Sequence, residues 1–507
     1  MLEFKALIVI LCLTLPVFWI ARAPACEFAT DRADFNRRRN LWIALTILAF
    51  TAHNFWIYIA GAAVVLAIAG RREANPLALF LALLMAVPAF SDTIPGFGGI
   101  RHIISLSHVR VLSIVVLLPA YLALRRRPDV LPFGRTAADK FVLGYLGLQL
   151  MLQIPVVSLT AGARLAIYSF IDVFLPYYVA SRGLRDVRAF ADALMAFVLA
   201  IVLMAPIALF EYLRHWLLYS GLAASMGVFS KMGGYMIRGD SLRAMASSEH
   251  SIVLGYLATI GLALLLFVRH YITSRVVFGL ALTLLVGALV ASGARGPWVG
   301  GIVVLVVVLL TGPDKFKRFF RVSLLAAPVL VALSFTSFGR GLFELLPFVG
   351  SADTDSIDYR RRLFDTSVQI ILQNPWFGGF DYLVNPSMQD MIQGEGIIDV
   401  VNSFLGVALT FGIVGLSLFG GVFLFAGWGV WSTLRRVEPR SDLGLLGRAL
   451  LAALVSVMLM IVTLSSIGVV PWVYWLLAGL CVGYARLAPE PQVEVVLGSA
   501  GRTRGYV

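Results

Sequence analysis

The sequence predicts an all-α membrane protein, a polytopic bundle of about 12 to 15 transmembrane helices with one large outward loop that contains short helices. Three observations carry that prediction. Hydrophobic residues make up 60% and charged residues only 14% of the 507, with a mean hydropathy of +0.89, whereas a soluble domain carries about 25% charged residues. Apolar runs of about 17 to 25 residues, the length that crosses a bilayer, recur along nearly the whole chain and leave no room for a soluble catalytic domain. Finally, 28 of the 41 lysines and arginines fall in clusters at 22–39, 71–72, 125–140, 182–188, 269–275, 315–321, 435–448 and the tail. That is the positive-inside pattern, which places those clusters in the cytoplasm. It accounts for the net charge of +13 without a nucleic-acid partner.

The first apolar run, 6–20, lacks a basic n-region and a small-x-small cleavage site, so it reads as a retained helix. Spans then follow near 41–52, 54–70, 76–92, 105–124, 139–156, 163–180, 190–213, 251–268, 276–292, 297–311, 319–337, 401–432, 447–466 and 471–486. The stretch 41–70 is short for two full crossings, yet the charge rule returns the chain to the same side. A hairpin turning at Thr51–Asn54 satisfies both. The organisation is an N-terminal bundle, 1–337, with an outer loop at 214–250, then a large loop, 338–400, then C-terminal helices and a cytoplasmic tail, 401–507. No internal repeat is visible, which weighs against an inverted-repeat transporter. Cys12, Cys26 and Cys481 are too dispersed for a disulfide framework or a zinc site.

With that topology the turns at 90–104, 156–163, 214–250, 293–296, 338–400 and 467–470 face outward. The 338–400 loop holds four arginines against nine acids and no lysine, and a loop of that length usually has a function. Within it, DYRRRLFDTSVQIILQNPWFGG reads as an amphipathic helix stopped by Asn374–Pro375 and followed by Gly378–Gly379. Helical phase puts Arg360, Phe364, Val368 and Ile371 on one face and Arg361, Arg362, Asp365 and Gln369 on the other.

The stretch SGARGPWVGG sets Arg295 in a tight glycine-flanked turn between two apolar runs. Free backbone N–H groups and the start of the next helix suit an anion there, and a guanidinium fork matches phosphate oxygens. The alternative is an interfacial arginine that snorkels to headgroups. Arg243 precedes the next outward span start, and His250 follows seven residues later, roughly on one face if that stretch is helical. His250 reads either as a helix cap or headgroup contact, or as a general base. Asp353-Thr354-Asp355 has the spacing of a metal-holding pair but also of a helix cap. Asp172 is an intramembrane acid, a functional candidate by default, or bonds a neighbouring Tyr or Ser. Glu211 lies near a span end and shows no role.

Four stretches resemble the O-antigen ligase and polymerase superfamily of bacterial envelope glycan assembly. ASGARGPWVGGIVVLVVVLL is similar to its Ser-x-Ser-Arg-Gly turn and long aliphatic span, and YRRRLFDTSVQIILQNPWFGGF to its loop helix with Pro-x-x-Gly. VVNSFLGVALTFGIVGL resembles the His-Asn-x-x-Leu span entry with Gly-Ile-Val-Gly-Leu. RAMASSEHSIVLGY resembles the Arg, His-Pro and Gly element of the exopolysaccharide-polymerase branch. The likeness runs from about 40 to 485.

The resemblance implies an inverting glycosyltransferase that needs neither metal nor other cofactor. Its substrate would be an undecaprenyl-diphosphate-linked oligosaccharide at the periplasmic face of the inner membrane, with a chain-length regulator and a flippase as partners. It implies Arg295, Arg360 and His250 as catalytic residues and Arg243, Asn402, Arg361 and Tyr359 as substrate contacts. The ligase pattern has His-Asn where this chain has Val401–Asn402, which favours polymerisation of repeats over ligation. A ligase or protein O-glycosylating enzyme shares the arginines, and a flippase or transporter is the third reading.

Overall fold

The computed structural model describes residues 2–98, 102–228, 237–238, 241–313, 317, 320, 324, 328, 335–336, 354–392 and 398–487. The architecture is all-α. Among the described residues eight helices are long and apolar enough to cross a membrane, and three shorter ones, of 16 or 17 residues, are also apolar. The expected span at 319–337 lies largely outside the described residues, as do Arg340 and Asp353.

In chain order the described helices are α1 (Leu2–Phe28), α2 (Arg32–Thr51), α3 (Phe55–Ala69), α4 (Pro76–Leu83), α5 (His108–Arg125), α6 (Ala137–Gln153), α7 (Leu159–Gly183), α8 (Val187–Arg214), α9 (Ser251–Val268), α10 (Arg275–Ala291), α11 (Arg295–Thr311), α12 (Thr354–Gln373), α13 (Ser403–Leu434), α14 (Asp442–Met460) and α15 (Val470–Ala485). The hairpin expected at 51–54 is present. Asn54 begins α3 by accepting the N–H groups of Trp56 and Ile57. One continuous apolar core joins the N-terminal helices to α13, α14 and α15, and a small separate cluster of Leu363, Ile370, Met388, Met391 and Leu409 sits under the large loop.

Three differences from the sequence reading have physical causes. The basic segment 32–39 is helix rather than loop, because Arg38 is buried between Glu73 (2.5 Å) and Asp192 (2.6 Å). Arg182 likewise pairs with Asp139 at 2.5 Å inside the bundle. Charge counts locate a side of the membrane and say nothing of which charges are paired. The run 76–92 is no single span. α4 ends at Leu83, and an antiparallel ribbon follows, β1 (Ser91–Pro95) with β2 (His102–Ser107). Among the described residues Asp172 bonds to Arg110 rather than to a neighbouring Tyr or Ser. Arg110 meets it at 2.8 Å while stacking over Tyr168.

Candidate active site

The loop before α9 is held from below by one acid. Glu211, fully buried near the end of α8, accepts the backbone N–H groups of Leu218 (3.0 Å), Met245 (3.0 Å) and Ala246 (2.8 Å). Ser247 donates to the Met85 carbonyl at 2.7 Å, and the Ala244 N–H reaches the Ala291 carbonyl at 2.9 Å. These bonds fix a backbone in which Ala246 (φ 48°) and Glu249 (φ 67°) both occupy the left-handed region. Non-glycine residues stay there only when their surroundings impose it, and such residues cluster at functional sites.

Arg243, carried by this loop, lies over the turn that leads to Arg295. Its Nε donates to the Ser292 carbonyl at 3.2 Å. Gly293 takes φ 57°, and a Cβ there would stand 3.2 Å from Arg243 Cγ. The glycine therefore serves both the turn and the close passage of the arginine. Arg295 is the first residue of α11, two residues earlier than the sequence suggests, and is half-buried. α9 approaches the same turn through Gly255, where a Cβ would meet Ser292 Oγ at 2.7 Å.

The far wall comes from the segments before α13 and α15. Asn402 caps α13, its Oδ1 accepting from Phe404 N (2.9 Å) and Leu405 N (3.1 Å). Ser403 donates through its N–H to the Ile461 carbonyl and through Oγ to the Leu464 carbonyl. Ser465 donates to Asp399 at 2.5 Å, and Ser466 to Ser403 at 2.9 Å. Tyr359 joins α12 to this wall by donating to the Asp399 carbonyl at 3.2 Å. Thr463 closes the ring, 2.7 Å from where a Cβ of Gly296 would be.

The phase of α12 differs from expectation. Leu363, Ser367 and Ile370 are buried and Tyr359 half-buried, whereas Phe364 is 52% exposed and Arg360, Arg361 and Arg362 are all exposed. The small apolar cluster selects Tyr359, Leu363 and Ile370 over the neighbouring face, so Tyr359 rather than Arg360 points into the packing. The helix is anchored by its stop signal. Gly412 breaks α13 at φ 65°, ψ −166°, and the turn 375–379 fills the gap. Ile413 N donates to the Pro375 carbonyl (2.8 Å), and Gly379 N donates to that of Leu409 (2.9 Å). A Cβ on Gly412 would fall 2.3 Å from Trp376 backbone atoms, so the Pro-x-x-Gly and Gly-Ile-Val-Gly segments need each other.

The N-termini of α9, α11, α13 and α15 thus open on one end of the bundle, each contributing positive partial charge, with Arg243 and Arg295 among them. His250 caps α9, its Nδ1 accepting the Ile252 N–H at 3.2 Å. Desolvation, reinforced by Arg243 and opposed by Asp399, pushes its pKa down to about 4. The ring is neutral near pH 7. With Nδ1 engaged as acceptor, its proton resides on Nε2, which presents a donor rather than a base. Among the residues proposed from sequence, Arg243, His250, Arg295, Asn402 and Tyr359 are brought to this end, with Arg360 and Arg361 on the exposed side of α12. Sequence reasoning named Glu211 without a role and missed Glu249, Asp399 and Ser465. Two acids beside span ends were the available signal.

The fold defines a polytopic helical membrane protein. Residues 280–420 match the family model described as O-antigen ligase, which takes in the Arg295 turn, α11, α12 and the start of α13. The match covers less than half of the chain and supports, for that segment, a relationship to the O-antigen ligase and polymerase superfamily. No curated protein matches the chain.

Proposed function

We propose that this protein is an inverting glycosyltransferase, independent of metal, that polymerises undecaprenyl-diphosphate-linked oligosaccharide repeats at the periplasmic face of the inner membrane. The convergence of Arg243, Arg295 and four helix N-termini on one end of the bundle carries the reading. Oriented donors and fixed cations of this kind stabilise a diphosphate as it departs, and electrostatic assistance of that sort usually contributes most of the rate in such catalysis. In this reading Arg295 and Arg243 hold the diphosphate, with Arg360 and Arg361 at the mouth. His250 donates from Nε2, and Asn402 and Tyr359 position sugar or phosphate. Val401 in place of the ligase histidine favours polymerisation. The family model's own description keeps ligation as the second reading.

The test is reconstitution of the purified protein in lipid with an undecaprenyl-diphosphate oligosaccharide, comparing wild type with Arg295→Ala by product length on a gel. A ladder that needs Arg295 is the expected result. Transfer of a single unit to another acceptor, or movement of the lipid between leaflets without transfer, overturns polymerisation in favour of ligation or flipping.

A further inference from the structure

Two acids, the buried Glu211 beneath the loop before α9 and the half-buried Glu249 on it, are treated oppositely. Glu211 spends its acceptors on three backbone N–H groups, as a structural carboxylate must when water is excluded. Glu249 does not. Its Oε1 is buried and accepts no hydrogen bond among the described residues. Its Oε2 lies 3.9 Å from where a Cβ of Gly468 would stand, in the same 461–469 turn whose serines and Thr463 line the far wall. The backbone beneath it is held at φ 67°, a conformation that glutamate does not choose for itself. The fold thus imposes strain at this residue and leaves its carboxyl an open acceptor between the two loops that frame the cationic end.

The neighbouring alternative is closed off by geometry. His250 uses Nδ1 to cap α9 and offers a donor from Nε2. The charged and titratable groups on the elements that frame this end are Arg243 and His250 on its own loop, Glu211 on α8, Arg295 on α11, Asp399 and Tyr359 across the site, and Tyr474 on α15, while burial is what displaces Glu249 itself. The 461–469 turn carries none.

We propose that Glu249 is the proton acceptor for the attacking sugar hydroxyl, an assignment that rests on the glycosyl-transfer reading above. The hydroxyl oxygen forms the new bond to the anomeric carbon as the bond from that carbon to the diphosphate oxygen breaks. The electron pair leaves with the lipid diphosphate, neutralised by Arg295 and Arg243, and the hydroxyl proton passes to the Glu249 carboxylate. Water takes that proton before the next turnover. Burial raises the Glu249 pKa to about 7, which suits a group that must both take and release a proton near neutrality.

The experiment uses the full chain in lipid vesicles with an undecaprenyl-diphosphate oligosaccharide, and equilibrium binding of undecaprenyl diphosphate as a second readout. Glu249→Gln should lower kcat by about 100-fold or more with lipid affinity changed less than about threefold. Wild-type kcat should rise with pH to a plateau above about pH 7, Glu249→Asp should retain part of the rate with a displaced midpoint, and the limb should vanish in Glu249→Gln. If the variants do not accumulate, the wild-type limb decides, and its absence overturns the assignment. Glu249→Gln turning over within about threefold of wild type overturns it too, while an Arg295-dependent ladder leaves the glycosyl-transfer reading standing. A wild type that transfers no sugar overturns both.

Discussion

Glu249 and His250 are adjacent in sequence yet displaced in opposite senses, and the consequence for stability is measurable without any substrate. Burial raises Glu249 from 4.5 to about 7 and lowers His250 from 6.5 to about 4. For Glu249 the folded pKa exceeds the unfolded value, so its contribution is intact below about pH 4.5 and is lost as pH rises through 7. For His250 the folded pKa is depressed, so its contribution is intact above about pH 6.5 and is lost as pH falls through 4. Each shift corresponds to on the order of 3 kcal/mol. Between about pH 4.5 and 6.5 the two slopes cancel in the wild type, which hides both. Single substitutions expose them. Relative to wild type, Glu249→Gln should gain on the order of 3 kcal/mol as pH rises from about 4.5 to 7.5. His250→Asn, which keeps a capping oxygen, should gain a similar amount as pH falls from about 6.5 to 4. Denaturant titration in detergent at several pH values measures both differences. A Glu249→Gln difference that does not change with pH would falsify the claim that this carboxyl is held desolvated and unbonded.

Other perturbations separate scaffold from chemistry. Arg295→Lys should keep protein levels but lower turnover by about tenfold or more, because an ammonium cannot reproduce the bidentate fork; gel ladders at matched protein amount measure it, and wild-type ladders would count against a phosphate role. Glu211→Ala strips three buried N–H groups of their acceptor, at about 1–3 kcal/mol each. Thermal unfolding should show the loss, and protease should cut the 241–250 loop faster than in wild type. Gly412→Ala forces a Cβ into the Trp376 backbone at a conformation open to glycine alone, costing about 3 kcal/mol or more; its signature is release of α12, read as faster amide exchange over 354–379, and unchanged exchange would contradict the docking of that helix on α13.

Much of this was legible in the chain because lipid leaves few options. Apolar runs must be helices, so most of the described spans, the 51–54 hairpin and the stop of α12 at Asn374–Pro375 could be read directly, though 76–92 could not. What could not be read depends on partners distant in sequence. Arg38 finds Glu73 and Asp192, and Arg110 finds Asp172, and neither pairing has a local signature. The phase of α12 failed for a related reason. Two adjacent stripes are both apolar enough to bury, and Met388, Met391 and Leu409, which choose between them, lie outside the helix. In the site, the tight turn at Arg295 announced itself through its glycines, and Gly293 takes φ 57°. Glu249 did not, since a glutamate before a span looks alike in sequence whether it is solvated or half-buried at φ 67°.

The disposition of charge also bears on transfer against transport. A carrier that moves an ionic headgroup through the bundle needs polar groups that change partners along the path. Here Arg38 is locked between two acids, Arg182 is bonded to Asp139, and Arg110 is bonded to Asp172. Breaking a buried pair such as those of Arg38 and Arg182 costs about 3–5 kcal/mol, so those ions act as fixed staples between helices and not as stepping stones, and the half-buried Arg110–Asp172 pair adds a further link. Oε1 of Glu249, which accepts no hydrogen bond among the described residues, stands instead beside His250 at the end where Arg243, Arg295 and four helix N-termini meet. That arrangement fits chemistry performed on a lipid diphosphate held at the surface of the bundle, with the bundle serving as the rigid frame that keeps the loops in register.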